Sequence, residues 1–250
     1  MARILLILLP FFLPSTSFAQ SAALDAPVNV SAAPAWKQYL VDVKEVIPDA
    51  ILEMRYYTDY NFIGKRLDGY KAGKCLLTPQ AAEALKKVQT DVKQQGYTLK
   101  MYDCYRPQQA VNQFVRWAQD LGDTKLKAAF YPNLDKSKLI PEGYIAEQSG
   151  HSRGSTLDLT IVPVPIPQQE AYTTERPFHD NSVDMGAPFD LFDPLSNTIN
   201  GQLTEEQLKN RLLLLVAMDK QGFKNLPEEW WHFTLRNEPY PDTFFNFPIE

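Results

Sequence analysis

The chain has 250 residues but only three histidines and two cysteines, and no long apolar run beyond one short stretch near its start. It also lacks basic runs, internal repeats and low-complexity tracts. Each scarcity excludes something. With 25 basic against 30 acidic residues and a formal net charge of -5, nothing in the chain offers nucleic acid or an anionic membrane an electrostatic footprint. Two cysteines far apart lack the paired spacing of a cysteine zinc site. Imidazole chemistry, if there is any, must come from His151, His179 or His232.

The apolar stretch reads as an export signal. Arg3 precedes the run Ile4 to Leu13, interrupted only by Pro10, and small residues follow at Ser17 and Ala19. A charged n-region, an h-region and an A-x-A-like site predict a signal peptide over residues 1–19, cleaved after Ala19. A membrane anchor needs about 20 apolar residues and this run is shorter. No cysteine follows it to carry a lipid. The expectation is a periplasmic or secreted protein with no stable membrane insertion after cleavage. Arg3 is the only charged residue removed, so the net charge moves from -5 to -6. Residues 20–36, rich in Ala, Pro and Ser, read as a flexible lead-in, and residues 37–250 as one domain large enough for a substantial core.

In an oxidising compartment Cys75 and Cys104 have two fates. They pair, stabilising by roughly 3–4 kcal/mol in the chain-entropy model, or they stay two buried thiols, because sequence carries no Cα distance.

Along the domain, Tyr39 to Met54 alternates like a strand broken at Pro48, and the aromatic, glycine-containing stretch Arg55 to Tyr70 reads as loop. Thr78-Pro79 opens a helix with Ala82, Leu85, Val88 and Val92 on one stripe, closed by Gly96. Tyr97 to Tyr102 reads as a strand and Pro107 to Gln119 as a second helix bearing Ala110, Phe114 and Trp117. Lys125 to Tyr144 is polar and turn-rich, a wall for a cleft. Leu157 to Val162 alternates, with Leu157, Leu159 and Ile161 on one face and Asp158 and Thr160 on the other. Pro163 to Arg176 is proline-rich loop. Thr204-Glu205-Glu206-Gln207 fits a capping box, with Leu208, Leu212, Leu215 and Met218 as the expected core stripe. Glu229 to Leu235 returns as a strand. The expected fold is a single α+β domain with a mainly antiparallel central sheet, flanking helices and a zinc site in a cleft.

Chemistry concentrates in Ser149-Gly150-His151-Ser152-Arg153-Gly154-Ser155-Thr156-Leu157-Asp158. A turn at Gly154 folds His151 back beside Asp158, and two good ligands for a borderline metal then meet. A third comes from His232, beside the carboxylate of Glu229, or from the rival His179 in a polar loop. A catalytic zinc keeps three protein ligands and an open position, and lowers the pKa of bound water to about 7. The water needs a base that is not a ligand. Glu229 is the candidate, but residues three apart on a regular strand face opposite sides, so the role demands a bend after Pro227. Arg106, held at a strand–helix junction by Pro107, either aims its guanidinium into the cleft to stabilise an oxyanion or is a surface arginine on a tight turn. Asp184-Met185-Gly186-Ala187-Pro188-Phe189-Asp190 reads alone as an acidic surface loop.

These motifs resemble those of the D-alanyl-D-alanine dipeptidases, the VanX type within the zinc D,D-peptidase clan. Ser149, His151, Gly154 and Asp158 meet one family motif, and Glu229 with His232 the Glu-x-x-His motif. Tyr56 with Asn61 to Lys65, Asp103 to Pro107, Tyr131 to Asn133, Gly143-Tyr144, and Glu238 to Pro241 with Phe247-Pro248 extend the likeness from about Val41 to the C-terminus. The resemblance implies one zinc per chain on His151, Asp158 and His232, Glu229 as base and Arg106 as the transition-state arginine. It further implies Asp190 on the substrate ammonium with help from Tyr56, Ser149 orienting substrate, and a small D,D-dipeptide as substrate. Gly150 departs from the family, standing where a polar side chain is familiar, and the N-terminal signal departs from cytosolic relatives. Two rival functions are a D,D-carboxypeptidase or endopeptidase with an open cleft and no ammonium clamp, and a zinc-containing binding module without catalysis.

Overall fold

The structure, a computed structural model, describes residues 34–172 and 179–250. The expected signal peptide and the lead-in up to residue 33 lie outside the described residues. Trp36, in the 3-10 turn Ala35–Gln38, is buried.

Strand β1 (Val41–Asp42), the single helical turn α1 (Val43–Val46) and β2 (Ile51–Leu52) occupy the stretch expected as one interrupted strand. The alternation there is cut short because the Asp42 side chain accepts from Lys44 N and caps a helical turn. β3 (Leu76–Leu77) pairs with β1 in a small antiparallel sheet. Helix α2 (Pro79–Lys93) starts where expected, with the Thr78 hydroxyl accepting from Ala81 N and Pro79 in the first turn. It buries Ala82, Leu85, Val88 and Val92. β4 (Tyr97–Asp103), α3 (Gln108–Gln119) and the short α4 (Lys127–Phe130) follow, then β5 (Thr156–Pro163), α5 (Glu205–Lys220), β6 (Phe223–Asn225) and β7 (His232–Leu235).

The central sheet runs β2-β4-β5-β7-β6. It is mixed: β2 lies parallel to β4, while the other pairs are antiparallel. The two central strands are buried on both faces, so Asp158 and Thr160, on the face opposite Leu157 and Leu159, are covered as fully as those leucines. Helix α2 packs on β4, α5 packs on β6, and the two helices pack on each other.

Helix α5 has the expected capping box between Thr204 and Gln207, and of the expected stripe Met218 is buried and Leu208 and Leu215 half-buried, but Leu212 is not part of the inner face. Leu212 and Val216 are exposed, and the buried residues are Asn210, Arg211, Leu214, Ala217 and Met218. Arg211 anchors this face. Its guanidinium donates to the Met185, Asn197 and Leu195 carbonyls at 2.6, 2.5 and 3.0 Å, satisfying loop groups that would otherwise be buried unpaired. A second buried cation, Lys100 within β4, lies beside Glu53 and bonds Asp180 at 2.9 Å, and Arg55 bonds the other Asp180 oxygen at 2.9 Å. Together they tie residues near Asp180 to the sheet.

Arg211→Met keeps the bulk and strands three carbonyls. It is expected to lower unfolding stability by about 3 kcal/mol, read as a shift of the urea midpoint. A loss below about 1 kcal/mol contradicts this anchoring role.

Candidate active site

Three neighbouring strands bring the site together at one level of the sheet. Asp158 on β5 stands opposite His232 on β7 and opposite Asp103 on β4. In an antiparallel sheet, paired residues project from the same face. A register shift between Met101 and Asp103 inserts one extra residue into β4, and such a bulge re-aims the side chains beyond it. Asp103 thereby joins Asp158 instead of the leucine face.

His151 arrives from a 3-10 turn, Gly150–Arg153, whose entry is capped by the Ser149 hydroxyl accepting from His151 N at 3.3 Å. Gly154 ends that turn with φ +80°, and a Cβ there would meet Leu40 Cδ2 at 2.6 Å. Only glycine closes this turn. The expected fold-back of His151 onto Asp158 is present.

The resulting triad is tight. Asp158 Oδ1 lies 3.3 Å from His151 Nε2 and 3.1 Å from His232 Nδ1, and the two imidazole nitrogens are 3.3 Å apart. Zinc bonds of about 2.0–2.1 Å in tetrahedral geometry give ligand–ligand edges of about 3.3 Å, so the three atoms fit three corners around one ion. Asp158 Oδ1 is also buried without a well-formed hydrogen bond, the mark of an oxygen whose natural partner is a cation. His179 is exposed and borders a different cavity, with Arg55, Tyr102 and Asp180.

One of the candidate ligands is oriented by a backbone group. His151 Nδ1 donates to the Cys104 carbonyl at 2.7 Å, which leaves Nε2 as the free lone pair. Burial lowers the His151 pKa and favours the neutral, ligating form. For His232, burial pulls the same way, but the bond to Asp158 and the charges of Asp158 and Glu229 together outweigh it and raise the pKa, so metal and proton would compete there. Burial opposes ionisation of Asp158, yet the two imidazoles overcome it and hold the carboxyl well below the usual range.

Glu229 reaches the site through the bend that its role demands. The strand expected over Glu229 to Leu235 begins only at His232, because Glu229 N donates to the Leu226 carbonyl and His232 N to the Glu229 carbonyl in consecutive turns. Glu229 Oε2 comes within 3.4 Å of His232 Nδ1. Burial raises the pKa of its carboxyl, against the pull of His232.

Arg106 points inward. Its Nε donates to Asp103 at 2.9 Å, Nη2 lies 3.5 Å from Asp158 Oδ2, and the guanidinium sits over the Tyr56 and Phe114 rings. Asp103 is held in turn by the Tyr70 hydroxyl at 2.6 Å. Across the cavity, the Tyr56 hydroxyl donates to Asp190, 3.1 and 3.0 Å from its two oxygens. Asp190 has φ +64°, the one non-glycine residue in left-handed backbone among those described, a strain that concentrates at functional positions. Burial and the charge of Asp158 push its carboxyl well above the ordinary range.

Tyr56, Arg106, Ser149, His151, Asp158, Asp190, Glu229 and His232 all line one cavity of about 230 Å³. Pockets for drug-sized ligands run from about 300 Å³ upward, so this one suits a very small molecule. The sequence reading assigned no part to Asp103 and Tyr70, which orient Arg106, or to Phe114 and Trp231 in the wall. Asp103 stands three residues before Arg106 in a quoted motif, but the bulge that aims it has no sequence signal.

Comparison with known proteins gives a consistent match. A family model described as D-ala-D-ala dipeptidase matches residues 37–250. The chain is 36% identical over 206 residues to a D-alanyl-D-alanine dipeptidase of Enterococcus faecium, covering 82% of this chain and 96% of the relative. It is 37% identical over 207 residues to one of Streptomyces coelicolor, 83% and 96% covered. The figures for one from Escherichia coli are 33% over 196 residues, 78% and 84%.

The triad predicts metal uptake that depends on His232 and ignores His179. Equilibrium dialysis followed by elemental analysis should find one divalent ion per chain in wild type and His179→Ala, and none in His232→Ala. Loss of the ion in His179→Ala contradicts the ligand set.

Proposed function

The chain belongs to the D-Ala-D-Ala dipeptidase family, and from that membership we propose that it is a zinc-dependent enzyme hydrolysing free D-alanyl-D-alanine to two molecules of D-alanine. The observation that carries this reading is the union, in one small cavity, of a metal-sized triad with a buried Asp190–Tyr56 pair. The triad serves peptide hydrolysis in general; the second acidic group serves a substrate with a free ammonium.

Zinc held by His151, Asp158 and His232 would polarise the scissile carbonyl and lower the pKa of a water. Glu229 takes the proton of the attacking water on its carboxylate and returns it to the leaving amine. Its raised pKa moves it toward the range in which both transfers proceed. Arg106 supplies the positive charge that stabilises the developing oxyanion. Two of its five N–H donors are engaged with Asp103 and Asp158, which locks the guanidinium plane and leaves the others for substrate. Asp190 binds the substrate ammonium. A cation beside it favours the ionised carboxylate over the protonated one, so substrate binding and loss of the Asp190 proton are coupled. Ser149 caps the His151 turn and lines the same cavity, and we assign it a substrate contact as well.

A D,D-carboxypeptidase or endopeptidase would have to pass a neutral amide and further chain across Asp190, which then has no cation to ionise against and forgoes the charge pair that the dipeptide ammonium would make. The dipeptide avoids that loss. We also place the enzyme outside the cytoplasm, after cleavage near Ala19. The buried Cys75–Cys104 disulfide supports that compartment, since disulfides persist where the surroundings oxidise.

Glu229→Gln separates chemistry from metal binding. The variant should keep one zinc per chain while its D-alanine release from D-Ala-D-Ala falls by about a hundredfold or more. Near-normal turnover removes Glu229 from the mechanism.

A further inference from the structure

The segment between the end of β4 and the start of α3 carries three groups that shape the site. Asp103 fixes Arg106, the Cys104 carbonyl fixes His151, and Arg106 itself faces the cavity. The segment leaves the sheet after a bulge and enters α3 at Pro107, so regular hydrogen bonding does not hold it. Its backbone bonds are few: Tyr105 N donates to Leu76 O at 2.9 Å and Arg106 N to His151 O at 3.3 Å.

The covalent restraint is the disulfide from Cys104 to Cys75, with Cα atoms 5.2 Å apart and both residues fully buried. Cys75 is itself anchored. Its carbonyl accepts from Val43 N at 2.8 Å, and the neighbouring β3 pairs with β1. Disulfide and Tyr105–Leu76 bond together lash the segment to β3. The carbonyl that sets the tautomer and ring angle of His151 thus belongs to a residue tied by a covalent bond to the scaffold.

We propose that the Cys75–Cys104 disulfide is a positioning element of the metal centre: it presses the Cys104 carbonyl against His151 Nδ1, so that metal affinity depends on the thiol redox state. This rests on the metal-site reading above. Groups that orient a ligating histidine typically change metal affinity by about 10–100-fold when removed. Loosening the carrier of such a group is expected to act at the lower end. An enzyme built this way holds its metal well only where the disulfide survives, which makes an oxidising compartment a condition of its activity.

The test uses the full-length chain and zinc itself. Zinc affinity is measured by competition with a chromogenic chelator for oxidised wild type and for Cys75→Ser/Cys104→Ser, with circular dichroism confirming that both are folded. The double variant should bind zinc about tenfold more weakly. Equal affinity in a folded variant overturns the proposal. A second measurement does not depend on the variant folding. In a glutathione buffer two glutathione thiols become one glutathione disulfide as the Cys75–Cys104 bond becomes two thiols. Coupling is reciprocal, so zinc should shift this equilibrium toward the protein disulfide by the same factor, and should lose that effect in His232→Ala. An equilibrium indifferent to zinc, or one that zinc moves toward the dithiol, overturns the proposal. Failure of oxidised wild type to take up zinc at all refutes the metal reading itself, a result distinct from equal binding by both forms.

Discussion

One buried carboxylate oxygen sets the terms for everything around it. Asp158 Oδ1 lies in the middle strand of the sheet, out of reach of water, with imidazole nitrogens at 3.1 and 3.3 Å. An isolated charge in such a place is very costly. It is tolerable only if polar partners are fixed around it, and the sheet register and one turn fix them. His232 is its direct cross-strand partner, and His151 is brought in by a turn that only glycine closes at position 154. The same strands place Asp103 alongside, and through Asp103 the guanidinium of Arg106.

Charge balance extends the argument to ligands. Asp103, Asp158, Asp190 and Glu229 surround the cavity with one guanidinium, Arg106, among them. The carboxyls of Asp190 and Glu229 respond by rising in pKa, burial first and neighbouring carboxylates next. On the proposed reading, a divalent ion at the triad and an ammonium beside Asp190 would each offset negative charge locally, while the dipeptide's own carboxylate would have to be met by another cationic group in the cavity.

Much of this was legible in the sequence because it rests on local chemistry. Thr78-Pro79 and Thr204 to Gln207 announce helix starts through side chains that cap their own backbone. The His151–Gly154–Asp158 spacing announces a turn running into a strand, and the eight residues singled out, Tyr56, Ser149 and Asp190 among them only through the family resemblance, do line one cavity. What escaped was mainly long-range. The face of α5 also carries Arg211, which reaches three loop carbonyls, so the expected stripe held at Met218 and in part at Leu208 and Leu215 but failed at Leu212. The bulge that turns Asp103 toward Arg106 is set by strand pairing, whereas the bend that frees Glu229, demanded by its expected role but carrying no sequence signal, is made by local turns. The parallel pairing of β2 and the burial of Lys100 among Glu53 and Asp180 likewise depend on partners remote in the chain. A lysine inside an otherwise apolar strand was the one available hint.

The central claim is that this cavity recognises a dipeptide by its free ammonium as well as by the bond to be cleaved. The most direct measurement is kcat/KM of the zinc-loaded enzyme for D-Ala-D-Ala against N-acetyl-D-Ala-D-Ala, in wild type and in Asp190→Ala. A site whose buried polar group is left unpaired by the wrong substrate discriminates strongly, so the wild type should favour the free dipeptide by at least about a hundredfold, and Asp190→Ala should raise KM for the dipeptide and narrow the gap. Comparable wild-type rates on both substrates would contradict the account and move the enzyme to the carboxypeptidases.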